Sequence, residues 1–192
     1  MSLNDFYNQQ EKIHFEGHSQ MCEEETIFLR DIVNKEGIIN VMEIGFNGGH
    51  SAETLLSSNN NINLVSFDLG EHKYVELGKQ FIDEHYSGRH TLIIGNSVNT
   101  VPEYIGDKFD IIFIDGGHDY VTAKTDLYNC RRLSHNDTII ILDDTMRTPE
   151  WIKFHNKGPN RAWDFMKKKN IIQELGSIDF NSKHGVSWGK YI

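Results

Sequence analysis

The 192-residue chain reads as one α/β domain, a doubly wound and mostly parallel sheet closed by a C-terminal antiparallel hairpin. Three observations lead there. Short, continuous β-branched runs recur at 39–44, 63–68, 91–95, 109–114 and 138–142, the pattern of strands covered on both faces. Helical stretches fit between and after them, at about 50–58, 73–86, 98–105 and 121–133, and that alternation marks βαβ units. The ending breaks the rhythm: after a helix at about 160–170, residues 175–180 and 185–191 read as two strands joined by Asn181-Ser182-Lys183.

The elements follow in chain order. Residues 4–20 are polar and read as helical, and 22–36 carry Ile27, Phe28, Ile32 and Val33 at helical spacing, which makes an amphipathic helix. This N-terminal segment, 1–37, is expected to lie over the site of a single domain spanning 1–192. Strand one runs into VMEIGFNGGHSAETLL, residues 41–56, where small residues separate a strand from a helix. A plain connector needs at most one residue with positive φ. Further glycines suggest that something approaches the backbone. After strand five comes a long connection, 145–163, containing Arg147, Trp151, Phe154, His155 and Trp163. Connections of this length are often functional.

Composition excludes several functions. The net charge is −9, so the surface repels phosphate backbones and anionic lipid. The basic run Lys167-Lys168-Lys169 reads as a solvated helix face. Cys22 and Cys130 form no CxxC pattern, which fits a reducing compartment. No apolar run is long enough to span a membrane, and the N-terminus lacks the hydrophobic segment of a signal peptide. The expectation is a cytoplasmic protein that binds neither nucleic acid nor membrane, with monomer and homodimer both open. His14, His18 and Cys22 are spaced like zinc ligands on one helix, but Gly17 and Ser19 interrupt that helix, and the site is set aside.

In open α/β sheets, ligands bind beyond the carboxyl ends of the strands. Gly45, Asn47, Gly48, Gly49 and Ser51 follow strand one. Asp68 ends strand two, and Asn96 and Ser97 follow strand three. Asp115 and His118 follow strand four, and Asp143 and Asp144 follow strand five. The turn and helix N-terminus suit an anion. A carboxylate at Asp68 can accept both hydroxyls of a ribose. A dinucleotide turn wants G-x-G-x-x-G, and Asn47 stands at its second glycine, so a smaller carboxylate fits better than a diphosphate. Asp115, Asp143 and Asp144 repel one another unless some are protonated or a cation joins them. Oxygen-only ligands favour Mg²⁺. His118 is placed to act as a general base.

In Glu43–Ser51 the pattern E-I-G-x-x-x-G-x-S, the acidic end of strand two, I-G-N-S at 94–97, D-x-x-H at 115–118 and the pair at 143–144 resemble the class I S-adenosylmethionine-dependent O-methyltransferases. The metal-dependent, catechol O-methyltransferase-like branch is the nearest pattern. The resemblance covers about 39–145 and implies a Rossmann-like, seven-stranded sheet. It implies that Gly45, Gly49 and Ser51 hold the methionine part of S-adenosylmethionine. Glu43 would support that turn, Asp68 would hold the ribose, and Asn96 and Ser97 would flank the adenine. Asp115, Asp143 and Asp144 would bind the divalent ion, with Asp115 also at the cofactor and among the catalytic groups. His118 stands where the branch often has a lysine near the acceptor oxygen. The implied activity is methyl transfer to a small-molecule hydroxyl. The rival readings are a cofactor-binding regulatory or partner protein with little catalysis, and a nucleotide-dependent oxidoreductase.

Overall fold

The computed structural model describes residues 1–10, 13, 15 and 17–192. The zinc pattern involving His14 and part of the helix expected over 4–20 fall on residues outside that range. Seven helices and seven strands follow: α1 Leu3–Asn8, α2 Glu23–Val33, β1 Asn40–Ile44, α3 His50–Ser58, β2 Asn63–Asp68, α4 Lys73–His85, β3 His90–Ile94, α5 Ser97–Glu103, β4 Phe109–Ile114, α6 Tyr120–Cys130, β5 Ser134–Leu142, α7 Lys157–Lys168, β6 Ile172–Asp179 and β7 Gly185–Tyr191. The strand order is β3-β2-β1-β4-β5-β7-β6. The first five strands are parallel, and β7 inserts antiparallel between β5 and β6. The doubly wound sheet and closing hairpin are therefore as the sequence predicts.

Alternation along the strands divides the interior in two. Val41 packs with α2, α3 and α4, while Met42 and Ile44 face α6 and α7. Strand side chains alternate between faces, so each central strand feeds both cores and needs apolar residues at consecutive positions.

The N-terminal segment departs from the expected long helix. α1 ends at Asn8, and a short 3₁₀ turn at Ser19–Met21 precedes α2. Cys22 caps α2, its sulfur accepting the Glu25 N–H. The buried face of α2 is Glu25, Thr26, Leu29, Ile32 and Val33, whereas Ile27 is 47% exposed. β5 starts at Ser134, ahead of the expected 138; Ser134 pairs with Phe109, and the regular ladder with β4 resumes at Ile139.

Candidate active site

The parallel ladder continues one rung past the strand ends. Gly45 N–H donates to the Phe67 carbonyl (2.8 Å), Asp115 N–H to Ile44 (2.8 Å) and Asp143 N–H to Ile114 (2.9 Å). Gly45, Asp115 and Asp143 therefore stand side by side on the carboxyl rim of the sheet. This spacing has a steric consequence. Gly45 has φ +99, and a Cβ there would run into the Asp115 carbonyl oxygen. Gly49 has φ +85 and starts α3, and its Cβ would come within 2.9 Å of the Phe46 ring. Strand packing and helix entry already require both glycines, so their presence is not a signature of ligand approach alone.

Glu43 is wholly buried beneath this turn. Ser51 Oγ donates to its Oε2 (2.7 Å) and Ser66 Oγ to its Oε1 (2.6 Å), joining α3 to β2. Burial raises its pKa to about 7 against the pull of those two hydroxyls. Asp68 accepts the Asn47 N–H on Oδ2 and the Gly70 N–H on Oδ1, both at 2.8 Å. It therefore fixes the turn and still presents free lone pairs. Asn96 caps α5, its Oδ1 accepting the Val98 N–H (3.0 Å), with Ser97 as the first helical residue. Described residues of the N-terminal segment cover the turn. Tyr7 OH donates to the Gly48 and Tyr74 carbonyls (2.8 and 2.9 Å), and Asn47 Nδ2 donates to the Gly17 carbonyl (2.8 Å).

The acidic edge lies beyond β4 and β5. Asp115, His118 and Asp144 each offer a donor atom within 4.8 Å of the others. His118 Nε2 lies 2.8 Å from Asp144 Oδ2, and His155 Nε2 lies 3.6 Å from Asp144 Oδ1. Asn156 Nδ2 donates to the Asp144 carbonyl (3.1 Å), tying the connection after β5 back onto the rim. Asp143 is 7% exposed and Glu25 1%, and among the described residues Asp143 Oδ1 and Glu25 Oε1 have no hydrogen-bond partner.

These groups perturb one another strongly. Burial and then the Asp144 charge raise Asp115 to about 7. Burial raises Asp143, and Glu25, Asp115 and Asp144 push it further. Burial also raises Glu25, reinforced by Asp115 and Asp144. Burial opposes ionisation of Asp144 too, but the His118 hydrogen bond and charge outweigh it and hold the carboxyl below its usual value. Orphaned buried oxygens beside three converging donors fit a divalent cation. Such a cation would supply Lewis-acid polarisation of a bound hydroxyl.

The rim thus gathers the expected Asp115, His118 and Asp144; Asp143, expected as a third carboxylate ligand, offers no atom to that group and is coupled to it through charge. The sequence reading missed Glu25 and His155. Glu25 carried a usable signal, since it lies four residues before Leu29 on the buried face of α2. His155 carried none beyond its place in a long connection. Of the aromatics there, Trp163 is fully buried and donates to Glu174 Oε2 (2.6 Å), whereas Phe154 is 87% exposed.

Residues 42–145, more than half of the chain, match a family model described as a methyltransferase domain. No curated protein matches the chain. Similar solved structures include cofactor-bound Rv0187 from MTB, with TM-score 0.81, 18% identity and coverage of 98% of this chain and 87% of that one. An O-methyltransferase from Bacillus cereus in complex with SAH gives TM-score 0.77 at 19% identity, with coverage of 98% and 88%. An O-methyltransferase described from Klebsiella pneumoniae gives 0.76 at 17%, with coverage of 98% and 89%. The matched segment runs from β1 to just past the Asp143–Asp144 pair, so it contains the glycine turn, Asp68 and the acidic rim. The chain belongs to this methyltransferase-domain family, as an S-adenosylmethionine-dependent methyltransferase of class I fold.

Proposed function

We propose that the protein transfers a methyl group from S-adenosylmethionine to the hydroxyl of a small molecule, assisted by a divalent ion at the acidic rim. One observation carries this reading: the glycine turn, Asp68 and the acidic centre share one edge of the sheet. A cofactor along that edge would bring its methyl group towards an acceptor at the centre. Bound S-adenosylmethionine supplies an electrophilic methyl group, and a divalent ion, Mg²⁺ by the carboxylate reading, would lower the acceptor's pKa.

The chain's own residues then bind, orient and exclude water. Asp68 accepts the ribose hydroxyls with the lone pairs its backbone contacts leave. The first-turn N–H groups of α3, beside Gly49 and Ser51, meet the cofactor carboxylate. Glu43 keeps that turn in place, and Asn96 and Ser97 flank the adenine. Asp115 and Asp144 hold the cation, with the buried charge of Asp143 adding to its field, and His118 accepts the acceptor's proton. The N-terminal segment and the connection before α7, residues 145–156, enclose the acceptor, with Phe154 as an exposed aromatic at its mouth. Positioning contributes most of the rate, because little charge develops in an in-line displacement at a sulfonium carbon. The enzyme is proposed to act in the cytoplasm, on neither nucleic acid nor membrane.

Similar O-methyltransferase structures, one described with SAH, support this reading. The test is transfer of labelled methyl from S-adenosylmethionine to a panel of catechols, phenols, sugars and sugar nucleotides, with cofactor affinity measured alongside. Turnover on a hydroxyl acceptor is expected. Tight cofactor binding without turnover on any acceptor would favour a binding protein instead.

A further inference from the structure

We infer that the acidic centre is built for a first-row transition-metal ion rather than Mg²⁺, with the His118 imidazole as a direct ligand beside Asp115 and Asp144. The inference rests on the divalent-ion reading of this site proposed above. It does not depend on methyl transfer itself, but it replaces two assignments made there: the ion is not Mg²⁺, and a metal-bound His118 nitrogen has no lone pair left for the acceptor's proton, so the ion itself lowers the acceptor's pKa.

Geometry is the first support. Two donors bound at right angles to one ion, each about 2.1 Å from it, lie about 3 Å apart, and opposed donors lie about 4.2 Å apart. His118 Nε2 and Asp144 Oδ2 are 2.8 Å apart, and the Asp115 donor lies within 4.8 Å of both. Small side-chain shifts would place all three around one ion. His155 Nε2, 3.6 Å from the other oxygen of Asp144, stands next to the same position. The His118 and His155 ring centroids are 5.7 Å apart, close enough for two imidazoles to face one ion.

Donor chemistry is the second. Three carboxylates alone would suit Mg²⁺, which prefers oxygen and keeps its waters. An imidazole among them favours Mn²⁺, Fe²⁺, Co²⁺ or Zn²⁺. Buried Asp143 Oδ1 and Glu25 Oε1, neither with a hydrogen-bond partner among the described residues, are an independent sign that the carboxyls here lack a cationic partner. Their charge would raise the negative potential felt by the ion. A second imidazole at His155 would strengthen the preference for a nitrogen-loving ion.

Any carboxylate site binds Co²⁺ more tightly than Mg²⁺ to some degree, so a wild-type comparison does not decide the matter. The deciding experiment titrates EDTA-treated full-length protein with Co²⁺ and with Mg²⁺ by calorimetry. It also follows the Co²⁺ absorption spectrum and measures S-adenosylhomocysteine affinity separately. His118→Ala should weaken Co²⁺ binding about tenfold to a hundredfold and change the Co²⁺ spectrum. Mg²⁺ affinity should stay within about twofold or tighten, because the imidazole no longer pairs with Asp144. His118→Asp should move the preference towards Mg²⁺. His118 is half-exposed, and the melting temperature checks that each variant folds. An unchanged Co²⁺-to-Mg²⁺ ratio and spectrum in His118→Ala, with S-adenosylhomocysteine still bound, overturns the inference and leaves methyl transfer standing. The shifted ratio without S-adenosylhomocysteine binding supports the inference and counts against the methyl-transfer reading.

Discussion

Asp68 holds two backbone N–H groups, from Asn47 and Gly70, before it meets any ligand. Its removal should therefore be felt twice. Asp68→Ala should weaken S-adenosylmethionine binding about tenfold to a hundredfold, because hydrogen bonds to a charged group contribute about 1.5–3 kcal/mol. It should also lower the melting temperature, since both turn N–H groups lose their acceptor. Asp68→Asn keeps an acceptor oxygen and should recover much of the stability but less of the affinity. Calorimetry that finds full affinity in a folded Asp68→Ala protein would remove this residue from the ribose site. Asp143 offers the opposite case. Its carboxylate is buried among Glu25, Asp115 and Asp144, so Asp143→Asn relieves repulsion. The melt in EDTA should rise, while the further rise on adding a divalent ion should largely vanish, because an ion that binds only the folded state stabilises it by mass action. A metal-induced rise as large as wild type would exclude Asp143 from the ion's field.

The turn from β1 into α3 changes what a glycine substitution should do. Gly49 has positive φ and sits against Phe46, so Gly49→Val strains the backbone and displaces a core ring. It should cost at least about 1–3 kcal/mol of stability as well as cofactor affinity. A chemical melt unchanged from wild type would contradict that packing argument. The sequence shows the glycine but not its neighbours, so this packing role is not legible there. The same limit governs the rest. β1 to β5 were legible because strands buried on both faces need continuous β-branched runs, as in Ile111–Ile114 and Ile139–Leu142. The rim residues were legible because strand ends in a parallel sheet fall on one edge. On α2 the spacing marked Ile32 and Val33, which are buried, and Glu25 could be read only as a neighbour of Leu29 on that face, while Ile27 faces solvent. His155 reaches Asp144 through a loop whose path is set by Asn156 and the start of α7, and no periodicity encodes that.

The buried carboxylates and imidazoles together fix how the protein's stability should depend on pH. Glu43 and Asp115 both have pKa values near 7, raised by burial and, for Asp115, by Asp144. In the unfolded chain such groups titrate near 4. Between those values the folded protein holds protons that the unfolded chain has lost, so stability is lost as pH rises through about 7 and regained as pH falls. Glu25 and Asp143, also raised, act in the same direction. The buried histidines oppose this at lower pH. Burial lowers His50 to about 3 and His90 to about 4, whereas an unfolded imidazole takes up its proton near 6.5. Below that pH the unfolded state gains protons that the folded state refuses, which offsets part of the carboxyls' contribution. In EDTA the melting temperature should therefore climb as pH falls from 8 to about 6.5 and climb less steeply below about 6. A saturating divalent ion keeps Asp115 and Asp143 ionised in the folded state, so it should flatten the climb between pH 8 and 6.5 to the share owed to Glu43 and Glu25. Glu43→Gln with the ion present should then remove its part of what remains. A melting series in EDTA that is flat from pH 8 to 6.5 would show that these carboxyls are not held protonated in the folded protein. A climb equally steep with and without the ion would show that the cation does not sit among them.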